Sequence, residues 1–194
     1  MLTISSFTWQ PDGRYGVVAG TLVAAALVLW TYGLVGLYTA LAPRLPRFAA
    51  LGGLVTVIGA ASGVTFGVRG FFDGVFGLDQ QASLAALAVH QLWANLLFFW
   101  PGPVFPLMLL VLGVALLVAV RDLPRVVGLL LIVAGIGFPV SRTLRVEWIA
   151  HVVDLAMLAA FAVLAVRLWR GWTALPRHEA AAAAGEAPAT PSTG

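Results

Sequence analysis

Six apolar runs, separated by short breaks rich in arginine, proline and glycine, occupy most of this 194-residue chain. They are Gly16–Ala42, Phe48–Val68, Ala82–Trp100, Val104–Val120, Val126–Val140 and Val146–Trp169. A helix of about 20 apolar residues crosses the ~30 Å hydrocarbon layer of a bilayer. A helix on a soluble protein instead keeps one polar face toward water. With 61% hydrophobic and 10% charged residues and a mean hydropathy of +0.98, too few charges are available to clothe a soluble surface. The expected fold is an all-α polytopic transmembrane bundle with its apolar faces in lipid.

The breaks set the expected organisation. Residues 1–15 form a polar lead in which Trp9 and Tyr15 suit a membrane interface. Residues 16–170 form the bundle, and 171–194 read as a disordered cytoplasmic tail, since from Pro176 onward there is little to bury. The start of the chain has no basic region, and its first apolar run is too long for a signal peptide, so that run is expected to remain as an anchor. The chain has no cysteine, which excludes disulfides and thiolate ligands from its own residues.

The Ala82–Trp100 run decides the span count. It contains His90, Gln91 and Asn95, which are costly in lipid unless they face other helices. If it crosses, six spans result and both termini share a side; if it lies along the surface, there are five and the termini are opposed. Its length favours six. All eleven cationic residues are arginine, and Arg44, Arg47, Arg121, Arg125, Arg142, Arg145, Arg167 and Arg170 sit at the ends of runs as topology anchors. That placement assigns the basic balance to the membrane surface and leaves no nucleic-acid site. Six spans with the N-terminus inside, and five with it outside, each put seven arginines in the cytoplasm. Both place the Arg121–Arg125 loop and the tail inside, and the Pro101–Pro103 turn and Arg142–Arg145 outside.

Two residue patterns stand out. Gly52, Thr56, Gly59, Gly63 and Gly67 recur on one helical face, a small-residue stripe that lets another helix approach closely. It serves either packing within the chain, with Gly16 and Gly20 as natural partners, or a seam to a second copy or another membrane protein. On the last run Glu147, His151 and Asp154 fall on one face at i, i+4 and i+7. By helical rise Asp154 lies ~12 Å below the outer end, and His90 could come level with it. The expected constellation is one polar intramembrane cluster of His90, Gln91, Asn95, Glu147, His151 and Asp154, rimmed by Arg142 and Arg145.

That cluster admits several uses. The plainest is a His–Asp hydrogen bond locking two helices. Others are a proton or cation site in a carrier, a haem or metal site, and acid–base catalysis. A different depth for the two histidines disfavours haem, no other cofactor is evident, and the identity of any metal is unknown. No HExxH, GxSxG or phosphate-cradling loop strengthens catalysis. The leading expectation is a non-enzymatic accessory or structural membrane protein, ahead of a proton- or cation-coupled carrier and a haem- or metal-binding redox protein.

The stretch Phe105–Arg142, an apolar span, then Arg121-Asp-Leu-Pro-Arg125, then a glycine-punctuated span ending Phe138-Pro139-Val140-Ser141-Arg142, resembles the late spans of uncharacterised six-span prokaryotic integral membrane proteins. The resemblance implies six spans and a location in the cytoplasmic membrane of a prokaryote. It implies no activity and no functional residue.

Overall fold

The computed structural model describes residues 1–10, 14–144 and 146–171. The expected tail, 171–194, lies outside these from residue 172 onward, as does Arg145. Among the described residues every regular element is helical. The chain begins with α1 (Leu2–Ser5) and a 3-10 turn (Ser6–Thr8), followed by the long α2 (Gly16–Leu41) and α3 (Pro46–Val75). Two short helices, α4 (Gln80–Ala88) and α5 (Gln91–Ala94), lead through a π-helical turn (Asn95–Phe99) into α6 (Val104–Ala119). Helices α7 (Arg125–Leu144) and α8 (Glu147–Trp169) complete the bundle.

Among the described residues five helices are long and apolar enough to cross a membrane: Gly16–Leu41, Pro46–Val75, Gln91–Ala119, Arg125–Leu144 and Glu147–Trp169. The five-span alternative therefore replaces the six-span preference, and the reason lies in the Ala82–Trp100 run. A turn at Val89–His90 cuts it. Nine-residue α4 reaches only ~13 Å by helical rise, far short of the hydrocarbon layer. The second half of the run joins α6 instead, through Pro101-Gly102-Pro103, in one apolar stretch. A π-type bond from Trp100 N to Asn95 O (2.9 Å) widens the helix just ahead of the prolines, and Gly102 N still reaches Phe98 O at 3.0 Å. The prolines, which lack an N–H, thus interrupt the ladder without reversing the chain. Helix α3 also runs past Val68 to Val75, and α7 to Leu144, so two expected loops are shorter than their glycines and arginines suggested.

Five crossings put the start of α2 and the end of α8 at opposite ends of the bundle. At one end Arg44, between α2 and α3, reaches the loop between α6 and α7, donating to Ala119 O at 3.3 Å and pairing with Asp122 at 3.5 Å. At the other, Arg14 donates to Leu78 O, and the N-terminal segment meets α8 through Phe7 and His151, ring centroids 3.9 Å apart. These are called the Arg44 end and the Arg142 end.

Between them the core is leucine and aromatic. Leu27, Leu34, Leu109, Leu112, Leu131 and Met157 are each at most 2% exposed. Trp30 bridges α2 to both α6 and α8, with Phe105 and Phe161 at 5.6 and 4.7 Å. The outer faces stay apolar: Leu51 is 67% exposed, Leu29 63% and Val118 75%, so every span suits lipid contact.

Lipid gives helices no hydrophobic reason to meet, so close packing must do it. Antiparallel α2 and α3 touch backbone to backbone. A Cβ at Gly67 would lie 2.7 Å from Ala24 N and 2.8 Å from Gly20 O, and one at Gly59 would lie 2.6 Å from Phe105 N on α6. The stripe on α3 thus works within the chain, Gly67 and Gly63 toward α2 and Gly59 toward α6; Gly52 abuts the Tyr38 ring. Thr56 on the same face bonds the Tyr38 hydroxyl at 2.8 Å. A second seam, between α6 and α7, is formed by Gly113, Gly128 and Gly135: Cβ atoms there would fall 2.7 Å from Gly128 O, Gly113 O and Leu110 N respectively.

Gly59→Ala and Gly135→Ala are expected to destabilise the detergent-solubilised protein by about 1–3 kcal/mol through overpacking, read as a lowered melting temperature. Gly36→Ala is the control. A Cβ there meets nothing within 4 Å, and the better helix propensity of alanine should leave melting unchanged or raised.

Candidate functional site

Asp154 is the only charged residue among the described ones to be buried, at 1% exposure. Its partner is Arg142, twelve residues earlier on α7, whose Nη2 donates to Oδ1 and Oδ2 at 3.2 and 3.4 Å. The sequence placed Arg142 at the rim as an anchor. By helical rise its Cα lies only ~5 Å from the α7–α8 turn while that of Asp154 lies ~10 Å from it. The long arginine side chain covers that difference by pointing into the bundle, where it is 13% exposed.

Aromatic rings fix the guanidinium in place. Its carbon lies 4.7 Å from the Trp9 ring centroid and 4.8 Å from that of Phe138. Arginine suits such a stack because it is planar and weakly hydrated. The Ser6 hydroxyl also meets the Asp154 carboxylate. The first nine residues are therefore no polar lead: Ser5 and Ser6 are buried, and the segment packs on α2 and α8. Serine hydroxyls bonded to the carbonyls of Leu2 and Thr3, at 2.6 and 2.9 Å, allow a polar turn to enter apolar surroundings.

The rest of the expected cluster does not assemble around Asp154. His151 turns back along its own helix, with Nδ1 2.8 Å from Glu147 O and Nε2 3.9 Å from Glu147 Oε1. Glu147 is largely exposed. His90 and Gln91 are exposed at the α4–α5 junction, and Asn95 is half-buried on the π-helical turn, which packs with α3. Having residues 95–100 continue into α6 turns this polar trio away. The expected His–Asp lock is thus an Arg–Asp lock. The two histidines sit on elements that make no contact with each other, so paired imidazole ligation of haem gains no support from their placement. Among the described residues no group of three or more His, Asp or Glu side chains converges on a metal-sized site.

Two features escaped the sequence. Arg69 Nε donates to Ser83 Oγ at 3.0 Å and pairs with Asp73 at 3.5 Å, while Ser83 Oγ donates to Asp73 Oδ2 at 2.9 Å. This triad pins α4 to α3. The i, i+4 spacing of Arg69 and Asp73 was visible, but it was hidden by reading residues 70–81 as loop. The second is a cavity of about 300 Å³ at the Arg142 end, walled by Trp9, Arg14, Tyr15, Arg69, Asp73 and Arg142. Burial pushes the Tyr15 phenol above its usual value; nearby Arg142 opposes the shift and Asp154 adds to it. Tyr15 accordingly keeps its proton at neutral pH and offers a hydroxyl donor.

The remaining anchors divide by end. Arg121, Arg125 and Arg170 are exposed with Arg47 at the Arg44 end, and Arg167 lies on the last turn of α8. Comparison with known protein families, curated proteins and solved structures finds no match.

Asp154→Leu alone strands a buried guanidinium and is expected to cost about 3–5 kcal/mol. Arg142→Met combined with Asp154→Leu should recover most of that loss. Thermal unfolding in detergent measures both, and a double variant no more stable than the single would exclude the lock.

Proposed function

We propose that this chain is a non-enzymatic, multi-pass protein of a prokaryotic cell membrane, with a structural or accessory role. The observation that carries this reading is the saturation of Asp154. Its carboxylate is held by Arg142, and its side chain has no exposed surface. A coupling carboxylate in a carrier must exchange protons or ions with water, and a general base must reach a substrate. Several other described polar groups also join elements to one another: Arg69 with Asp73 and Ser83, Tyr38 with Thr56, and Arg44 with Asp122.

In this reading the Arg44 end faces the cytoplasm. It carries Arg44, Arg47, Arg121, Arg125, Arg167 and Arg170, with Arg177 in the adjoining tail. Among the described residues the Arg142 end carries Arg14, Arg69 and Arg142. The K/R bias therefore favours a cytoplasmic C-terminal tail and an N-terminal segment on the outer side.

The activity test uses proteoliposomes with an internal pH dye under an imposed proton gradient. Vesicles holding the parent protein should leak no faster than empty ones. Proton flux in the parent that disappears in Asp154→Asn would establish a carrier instead. Because the chain has no cysteine, orientation can be read from single replacements. Gln81→Cys is expected to react with a membrane-impermeant maleimide on intact cells, and Arg121→Cys only after permeabilisation. The reverse pattern inverts the topology.

A further inference from the structure

The cavity at the Arg142 end has a second chamber beneath it. This lower space, about 330 Å³, is walled by Leu27, Gly63, Phe98, Phe105, Pro106 and Phe138. The two chambers share Tyr15, Phe66, Phe99 and Arg142 as walls. Each reaches the lower end of the ~300–1,000 Å³ range of ligand pockets. The upper chamber is lined by three guanidinium groups, of which Arg69 pairs with Asp73 and Arg142 with Asp154. The lower one is almost wholly aromatic and aliphatic, apart from Arg142, Tyr15 and Thr143.

Hydrogen-bond donors at the junction point to what the upper chamber takes. Among the described residues, Trp9 Nε1, Arg142 Nε and Arg142 Nη1 are buried with no acceptor. Buried donors are nearly always paired, and leaving one unpaired costs about 1–3 kcal/mol. The guanidinium N–H donors point outward in its own plane, so an acceptor must approach there rather than through the Trp9 and Phe138 rings packed on it. Asp154 already takes Nη2, which leaves the remaining donors for a different acceptor.

We propose that the paired chambers bind one anionic amphiphile, its acid head among Trp9, Arg14, Tyr15 and Arg142 and its apolar chain in the aromatic space between α2, α3, α6 and α7. A phosphate or carboxylate head supplies the missing acceptor and takes charge-assisted bonds from the guanidinium. An apolar chain fills a chamber that offers polar solutes few partners. Basic pockets between spanning helices bind acidic headgroups by the same chemistry. The site is separate from the question of transport, since it holds whether or not vesicles leak protons.

The test is native mass spectrometry of the full chain purified in detergent, titrated with phosphatidylglycerol, with phosphatidylcholine of the same chains, with oleate and with inorganic phosphate. Retention of one phosphatidylglycerol or one oleate per chain, with phosphatidylcholine released, is the expected result, and the tighter of the two identifies the source as bilayer phospholipid or free fatty acid. Arg14→Gln should weaken that retention about tenfold, the size expected for one charge-assisted contact, beyond any drop in the lipid-free melting temperature that loss of its bond to Leu78 O brings. Trp9→Leu should weaken it as well. Equal retention of phosphatidylcholine would overturn the acidic head, and full competition by inorganic phosphate would overturn the apolar chain. Retention unchanged in both variants would overturn the location.

Discussion

A charged pair in apolar surroundings is tolerable only when both members are satisfied together, and the Arg142–Asp154 contact organises this bundle on that condition. It ties α7 to α8 below their turn, where a shorter cation could not reach. The Trp9 and Phe138 rings packed on the planar guanidinium shield it from water. Ser6 brings the N-terminal segment to the same carboxylate. One ion pair thus recruits two spans and the start of the chain, and it leaves guanidinium edges facing the cavity. The lock and the proposed binding site are two uses of a single side chain.

Away from that pair the bundle relies on proximity. Lipid does not press helices together, so the two tight antiparallel contacts, α2 with α3 and α6 with α7, are both lined by glycine. At Gly67 and Gly128 the neighbouring backbone or side chain already occupies the space a methyl group would need. Elsewhere the packing is looser and aromatic, and there the cavity forms. Dense glycine seams on either side of an aromatic centre hold open a space that leucines at the same depth would fill.

The patterns legible in the sequence and those that were not differ in kind. Span positions were legible because hydropathy is a property of consecutive residues. The glycine stripe of Gly52, Gly59, Gly63 and Gly67 was legible as a face, by its spacing. Its partners, Gly20 and Ala24 for one part and Phe105 for another, were only half visible. The polar cluster was misjudged in composition. Asp154 was singled out by its cost in lipid, yet its partner was sought in His90, level with it by helical rise, and in His151, which shares its helical face. Arg142 was passed over because an arginine near a helix end ordinarily extends to the interface.

By itself the sequence determined the medium, the helical class, the approximate spans and the existence of a costly acid on the last helix, because each follows from local composition and helical periodicity. Only the tertiary structure decided that a proline-rich turn continues a span, that the N-terminal segment packs on α2 and α8 with Leu2, Ser5 and Ser6 buried, and that Asp154 pairs with an arginine. These depend on where side chains from distant segments end, and a side chain several ångströms long can reverse the direction its position suggests.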